Sequence, residues 1–522
     1  MSPEARIIHG HVLDVLRAMP AESVHSFVTS PPYWGLRDYK IPPQIWGGDP
    51  GCHHDWAIET VTGEYRTGRG LAQLGEKYRP GGKCGGLKQG SVPTLQAERG
   101  QCLLCGAWLG SLGLEPTVAE YVAHLVEVFE EARRVLREDG TLWLNLGDSY
   151  YSKPNGSIGR SGLEGSLAPH AESRRAHSLR KRGGDPTLKH KDLVGVPWRV
   201  AFALQEAGWW LRSDCIWSKP NPMPESVTDR PTKAHEYVFL LSKSARYYYD
   251  AAAVREPVSQ AVLDRPYKQI FNSERMDMPG ASPGRRGCVR KADALQGAHG
   301  TTGQDGNGMR MPEKWSNPEG RNLRTVWTIA THAYPEAHFA TFPPDLAETC
   351  IKAGTSERGA CSACGAPWTR VEAREFEPQS DVSAEKGRRA QGDQKPMAPE
   401  NGWGDSPRGT TRVMTRGWEP SCLCLRERIE AVGIQWPLTA PQATALAPQF
   451  DDLAPVPCTV LDPFGGAGTV AMVALRLGRS AISIELSPDY VTMQERRIRE
   501  DAPLLNRPTI ESAPASAGKE NP

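Results

Sequence analysis

Apolar positions along this chain follow two rhythms. Short runs such as Val24-His25-Ser26-Phe27-Val28-Thr29, Thr141-Leu142-Trp143-Leu144-Asn145-Leu146 and Glu236-Tyr237-Val238-Phe239-Leu240-Leu241 have the length and the β-branched and aromatic content of strands. Between them Val118, Tyr121, Val122, Leu125, Val128, Phe129, Ala132 and Leu136 recur at helical spacing, and that run stops at Asp139-Gly140. Residues 6–30 read as strand, helix and strand, with Val12-Leu13-Asp14-Val15-Leu16 in the middle and an abrupt end at Ser30-Pro31-Pro32. A helix–strand pair spans 193–218. Further on, Thr459-Val460-Leu461-Asp462 predicts a strand, Val470 to Leu477 a helix, and Ala481-Ile482-Ser483-Ile484 another strand. Helices alternating with apolar strands predict an α/β fold on a mostly parallel sheet.

Several stretches break the rhythm. Residues 51–110 are Gly-rich and polar with Cys and His at both ends, 153–191 and 265–324 are basic and rich in Gly, Ser and Pro, and 375–418 are polar and poor in aliphatics. No internal repeat of fixed period interrupts or organises them. The layout this predicts is a catalytic half at 1–50 and 111–250, interrupted by an insertion at 51–110. A variable region at 251–325 and a short element at 326–355 follow. A second cysteine insertion at 356–430, a second half at 431–502 and a disordered tail at 503–522 complete it.

Composition sharpens this picture in two ways. The 52 Gly and 44 Pro fit a folded core interrupted by long loops, and the net charge of +1 leaves any basic surface local. No run of about 18 apolar residues is present, and Met1-Ser2-Pro3-Glu4 lacks the features of a signal peptide. A soluble, cytoplasmic protein with reduced cysteines is the expectation, so clustered cysteines point to metal rather than disulfides.

Two short motifs carry chemistry. Asp462-Pro463-Phe464-Gly465-Gly466-Ala467-Gly468-Thr469 joins a strand to a helix, and Glu485 ends the next strand about twenty positions on. A Rossmann-like half grips an adenosine in this way: glycines let the backbone approach, and the carboxylate holds ribose hydroxyls. The glycine spacing is not G-x-G-x-x-G and no Lys-Ser/Thr follows, which favours S-adenosylmethionine over a dinucleotide or ATP. The second motif, Thr29-Ser30-Pro31-Pro32-Tyr33-Trp34, closes a strand. Its prolines remove two N–H donors and stiffen the turn, leaving carbonyls and a hydroxyl as acceptors beside an aromatic ring. Such a site suits a flipped base: acceptors for an exocyclic amine and a ring to stack on. Taken alone, this run reads equally well as a proline turn closing a strand.

The cysteines pair at the ends of the two insertions. Cys52 and His54, with His53 as a substitute, face Cys102-Leu103-Leu104-Cys105-Gly106; Cys361-Ser362-Ala363-Cys364-Gly365 faces Cys422-Leu423-Cys424. A C-x-x-C-G knuckle presents two thiolates on a tight turn, and four soft ligands suit structural zinc, with buried unliganded thiols as the alternative. Cys84, Cys215, Cys288, Cys350 and Cys458 have no partner spacing and read as core or loop residues.

The two motifs together resemble those of the DNA amino-methyltransferases, the N4-cytosine and N6-adenine group, in the order of its β class. His338-Phe339-Ala340-Thr341-Phe342-Pro343 resembles the family's H-x-A-x-F-P element, and Trp217-Ser218-Lys219-Pro220-Asn221 and Thr325-Val326-Trp327 are similar to family segments. The resemblance implies a Rossmann-like S-adenosylmethionine-dependent methyltransferase fold with permuted motif order, here with zinc-knuckle-like insertions. It implies that Ser30, Pro31, Pro32 and Tyr33 position the base and support methyl transfer. Asp462, Pro463, Phe464, Gly465, Gly466, Gly468, Thr469, Glu485 and Phe342 would line the cofactor. The amine itself attacks, so no cysteine is needed as a nucleophile. Double-stranded DNA is the implied partner, with a cognate restriction nuclease in a bacterial or phage-infected cell, and no membrane is involved. Ser at the head of the proline motif resembles the cytosine-N4 members, and Asp would resemble the adenine-N6 ones. An RNA or protein-glutamine methyltransferase, or a catalytically inactive DNA-binding protein, is the competing reading.

Overall fold

The computed structural model describes residues 2–36, 39, 41–63, 95–151, 185–257, 320–332, 342–378, 409–431, 454–503 and 506–513. Two compact units divide the chain: Met1–Tyr249, Thr325–Pro367 and Cys424–Pro522 make the larger, and Asp250–Arg324 with Trp368–Leu423 the smaller.

The larger unit opens with β1 (Ala5–His9), α1 (Val12–Ala18) and β2 (Val24–Thr29). A small antiparallel sheet follows, β3 (Gln44–Trp46), β4 (Trp56–Gly63), β5 (Leu95–Cys102) and β6 (Trp108–Gly110), in the order β3-β6-β5-β4. Then come α2 (Val118–Val135), β7 (Leu136–Leu146), α3 (Val196–Glu206), β8 (Trp210–Ser218), β9 (His235–Ser242), β10 (Val326–Thr328) and α4 (Pro344–Gly354). In the smaller unit β11 (Trp368–Pro378) pairs antiparallel with β12 (Gly409–Pro420). The chain then returns to the larger unit with α5 (Cys424–Ala431), β13 (Thr459–Asp462), α6 (Thr469–Arg476), β14 (Ser480–Glu485), α7 (Pro488–Asp501) and β15 (Thr509–Ser512).

Nine strands form the main sheet in the order β10-β8-β9-β7-β2-β13-β14-β1-β15. All neighbours run parallel except β9, which is antiparallel to both β7 and β8. Central strands of such a sheet are buried on both faces: in β2 and β13 Val24, Phe27, Val28, Val460 and Leu461 have no exposed surface, and the polar Ser26, Thr29 and Asp462 are buried with them. Helix α2 starts on a capping box, in which the Thr117 side chain accepts from the Glu120 N–H while the Glu120 carboxylate accepts from the Thr117 N–H. It then buries Val118, Tyr121, Leu125, Val128, Phe129, Ala132 and Val135. Its close packing against α3 and the sheet makes one continuous apolar core. No described helix is long and apolar enough to cross a membrane.

The α/β reading and the mostly parallel sheet hold. Two expectations from the chain's pattern do not. Thr509–Ser512, placed in a disordered tail, is an edge strand in register with β1. The ends of the polar stretch 375–418 lie in the β11–β12 ladder, which runs from Trp368↔Pro420 to Pro378↔Gly409. β15 lies at the edge of the main sheet, and β11 and β12 pair only in a two-stranded ladder among the described residues; none of the three carries an apolar alternation to read.

Candidate active site

Strands β2 and β13 lie side by side, with Val460 opposite Ser26 and Leu461 opposite Phe27. Their carboxyl ends therefore open into adjacent loops: Ser30-Pro31-Pro32-Tyr33 from β2 and Pro463-Phe464-Gly465-Gly466 from β13. In parallel α/β sheets ligands bind in the crevice outside these strand ends. The two loops are tied together, because the Thr29 hydroxyl donates to Asp462 Oδ1 at 2.6 Å while the Phe464 N–H donates to the same oxygen at 3.1 Å. Burial raises the Asp462 carboxyl to about 6, against these two hydrogen bonds.

The glycine loop has no room for side chains. A Cβ on Gly465 would stand 2.0 Å from Ser483 Oγ and 2.8 Å from Gln494 Nε2. Gly466 (φ +51°) and Gly468 (φ +73°) hold left-handed backbone that favours glycine, and Gly468 caps α6. Glu485, at the end of β14, accepts the Gly466 N–H at 2.8 Å and the Ser487 N–H at 2.8 Å. Burial nevertheless pushes its carboxyl up to about 7. Thr469 points elsewhere: its hydroxyl accepts from the buried Arg497, which also donates to the Ala467 carbonyl. Through this bond Thr469 and Arg497 support the loop. Phe342 precedes the Pro343 cap of α4, a helix that packs on α6; His338–Thr341 of the same element lie outside the described residues.

In the proline loop, Ser30 Oγ donates to Tyr33 Oη at 3.1 Å, and Tyr33 Oη donates to Glu236 Oε2 at 2.7 Å, with Asn145 Oδ1 at 3.1 Å. Glu236 is in turn paired with Lys219, whose ammonium lies 4.3 Å from the centre of the Trp217 ring. Burial and the Glu236 charge hold the Tyr33 phenol well above its ordinary pKa, so it stays a donor. The Pro32 carbonyl is engaged by Tyr121 Oη at 2.9 Å. One edge of the Tyr33 ring packs on Gly147, where a Cβ would come within 2.6 Å. Asp148, next along, accepts the Gly195 and Val196 N–H groups and so caps α3, and Lys233 donates to its carbonyl at 2.6 Å.

Glu236, Asn145, Lys233 and Asp148 carried no sequence signal of their own, and Lys219 only its place in a familiar-looking segment. Each sits in or beside a strand that reads as core, up to 203 positions from Tyr33. Pro457-Cys458 is the chain's one Pro-Cys pair, but Cys458 is buried before β13, away from the strand's carboxyl end, and burial raises its thiol to about 12.

Among the metal-site residues, Cys52, His54, Cys102 and Cys105 converge, with their ligand atoms all within 4.8 Å of one another. His53, the substitute, is exposed and outside the group. Burial opposes the Cys102 thiolate, yet the backbone N–H groups of Cys105, Leu104 and Asp55 and the His54 side chain bring its pKa down to about 6. Of the second set, Cys361, Cys364 and Cys424 lie within the same limit in the larger unit, and Cys422 belongs to the smaller. Its knuckle is tied to the sheet: Gly365 O meets His25 Nε2 at 2.9 Å, and Cys364 O accepts from Arg137 at 2.7 Å. Cys215, Cys350 and Cys458 are plain buried residues; Cys84 and Cys288 lie outside the described residues.

A family model described as DNA methylase, of the N6/N4 type, matches residues 24–361 and 458–496. Type II methyltransferase M.Cfr9I of Citrobacter freundii is 34% identical over 352 residues, covering 67% of this chain and 73% of that protein. Type II methyltransferase M.SmaI of Serratia marcescens is 32% identical over 355 residues, covering 68% and 76%. The solved structure of the PvuII DNA methyltransferase, described as cytosine-N4-specific, aligns over 98% of this chain and 97% of its own at 13% identity and a TM-score of 0.38. With the family model spanning both motifs and most of the chain between them, this chain belongs to the N6/N4 family of DNA amino-methyltransferases.

Proposed function

We propose that the protein is a site-specific DNA methyltransferase that moves a methyl group from S-adenosylmethionine to the N4 amine of a flipped cytosine. The observation that carries this reading is the junction of the two motif loops, on adjacent strands and joined through Thr29 and Asp462. The glycine loop fits the cofactor. Its backbone is bare where a Cβ would collide, and a carboxylate from Glu485 stands beside the Gly466 N–H to receive ribose hydroxyls.

Bound there, S-adenosylmethionine supplies a methyl group on a positively charged sulfur. The protein's part is positioning. Ser30 spends its proton on Tyr33, so its lone pairs are left to accept a hydrogen of the amine. With Pro32 engaged by Tyr121, the Pro31 carbonyl is the second acceptor. Two acceptors on the amine hydrogens favour the pyramidal geometry in which the nitrogen lone pair attacks. Tyr33 holds Ser30 in place and offers its ring to the base, and the Glu236–Lys219 pair fixes Tyr33.

Cytosine rests on Ser30 opening the motif; adenine presents a similar N–C–NH2 edge. Target recognition falls to the 251–325 region with the basic 174–191 stretch, of which 258–319 and 174–184 lie outside the described residues. The Type II designation of the relatives makes a restriction nuclease the expected companion. The decisive experiment digests duplex DNA methylated by the protein and identifies the nucleosides by mass spectrometry. N4-methylcytosine is expected; N6-methyladenine overturns the choice of base, and no methylated nucleoside favours an inactive DNA-binding protein.

A further inference from the structure

We infer that Cys52, His54, Cys102 and Cys105 hold a zinc ion, and that this ion braces the loop carrying Ser30 and Tyr33. The second half of this inference rests on the reading of that loop as catalytic; the first does not.

The donor geometry is that of a tetrahedral site. Zinc bound to sulfur at about 2.3 Å and to imidazole nitrogen at about 2.0–2.1 Å places sulfurs about 3.8 Å apart and sulfur about 3.6 Å from nitrogen. Here Cys52 Sγ and Cys102 Sγ are 3.9 Å apart, and Cys105 Sγ is 3.5 Å from His54 Nδ1. A disulfide is excluded by the first distance, since it needs about 2.05 Å. The backbone is shaped for the purpose. Gly106 turns the knuckle at φ +74°, its N–H donates to the Cys102 carbonyl, and the Cys102 N–H donates to the Ala107 carbonyl. Gly48 lies against Cys105 Sγ so closely that a Cβ would come within 2.9 Å. Three thiols and one imidazole, with no carboxylate among them, select zinc over the harder divalent ions.

From the knuckle the chain leads through β6 to residues 113–115, which bond the segment that follows Ser30 and Tyr33. Residue Cys102 ends β5, Trp108 opens β6, and β6 pairs with β3 through Trp46↔Trp108. His124 of α2 packs between these two indoles, with ring centroids 5.6 Å away on each side, and its Nδ1 bonds the buried Glu115 at 3.1 Å. The other Glu115 oxygen accepts the Gly113 N–H at 2.8 Å. The Gly113 carbonyl accepts from Gly35, and the Glu115 carbonyl accepts from Trp34 Nε1 at 3.1 Å. Gly113 itself is pressed against the Tyr33 and Pro32 carbonyls, with no space for a Cβ beyond 3.1 Å. Among the described residues at the knuckle end of the small sheet β3-β6-β5-β4, the buried ones are few: Trp46, Cys102, Ala107 and Trp108. A metal supplies there the cohesion that a small apolar core does not.

The test begins with zinc content of the full chain by mass spectrometry of the metal, before and after Cys102→Ser with Cys105→Ser. A loss of one equivalent is expected; unchanged zinc, or a metal-free wild type, overturns the site. Cobalt(II) loaded into the same protein should give the absorption of tetrahedral thiolate–cobalt, and His54→Cys should keep the equivalent while shifting that spectrum. For the brace, the double variant should bind S-adenosylmethionine within about twofold of wild type while transferring methyl at least tenfold more slowly. Equal methyl transfer without the metal overturns the brace. If the double variant does not fold, chelation of the wild type and re-addition of zinc serve instead: methyl transfer should fall and return at constant cofactor affinity. Wild type that binds no S-adenosylmethionine would count against the functional reading and leave the zinc result standing.

Discussion

In the proposed mechanism Ser30 and Glu485 divide the labour of the site between them, one assigned to the base and the other to the cofactor. Ser30 donates its proton to Tyr33, so in this mechanism its value lies in the lone pairs it keeps oriented. Ser30→Ala should leave S-adenosylmethionine affinity near wild type and lower methyl transfer by about 10²–10³, the usual cost of losing a hydrogen bond aligned in the transition state. Single-turnover methylation beside equilibrium cofactor binding checks it, and near-normal turnover removes Ser30 from the mechanism. Glu485 makes a pH-dependent prediction. Burial holds its carboxyl at about 7 without the cofactor, and ribose hydroxyls donate best to the ionised form. Binding therefore lowers this pKa. Affinity should be full above pH 7 and fall as the pH drops through 7, by about tenfold between pH 8 and pH 6. Calorimetry at pH 6.5 in two buffers of different ionisation enthalpy should show a proton released on binding. No proton release would mean that Glu485 does not receive the ribose.

At the scale of elements, the turn between β13 and α6 is tightly constrained. Gly465 does not hold left-handed backbone, so a side chain is barred there by space, chiefly by Ser483 Oγ on β14. Gly465→Ala should weaken cofactor binding at least tenfold. Adding Ser483→Ala should restore most of it, because that hydroxyl is buried with no hydrogen-bond partner and its loss costs little. Failure of the second change to rescue the first would show that the backbone, not the contact, is at fault. This turn was legible in the sequence because a strand, glycines, a helix and a strand-end acid are consecutive, so local rules suffice. The same holds for the proline loop at the end of β2, for β2, β9 and α6, and for α2 and β7 except at their junction, where the run read as helix as far as Asp139-Gly140 turns to strand at Leu136. The partners of Tyr33 were not legible. Glu236 and Asn145 are polar residues in runs whose period announces only a buried strand, and their inward direction is set by a register that appears once β9 pairs with β7. The bond made by Thr469 was hidden for a related reason. Its place in the motif was plain, but Arg497, 28 positions on, claims its hydroxyl.

At the scale of the whole molecule, the sheet is assembled from both ends of the chain, and this places an unusual load on its edge. Strand β1 pairs with β14 on one side, so that Ala5–His9 run beside Ala481–Glu485, and the Gly10 N–H donates to the Glu485 carbonyl at 3.0 Å. On its other side β1 meets only β15, in the register Arg6↔Thr509 to His9↔Ser512, extended by the Ala513 N–H to the His9 carbonyl at 2.9 Å. The polar run Thr509-Ile510-Glu511-Ser512 suits an edge, since an exposed row of unpaired N–H and C=O groups on the apolar β1 would invite pairing with another chain. Arg6 and Glu511 also form a two-pronged ion pair at 2.8 Å, but both side chains are 40% exposed, so it contributes about 0–1 kcal/mol. The backbone ladder, at about 1 kcal/mol net for each hydrogen bond, outweighs it. A chain ending at Asn506 should therefore fold and bind S-adenosylmethionine within a few-fold of wild type. It should melt about 5 °C lower and associate as concentration rises. Glu511→Gln in the full chain should shift the melting point far less than the truncation does. Thermal denaturation with light scattering on the three proteins separates these effects, and equal melting of the truncated and full chains would show that β15 adds nothing to the sheet.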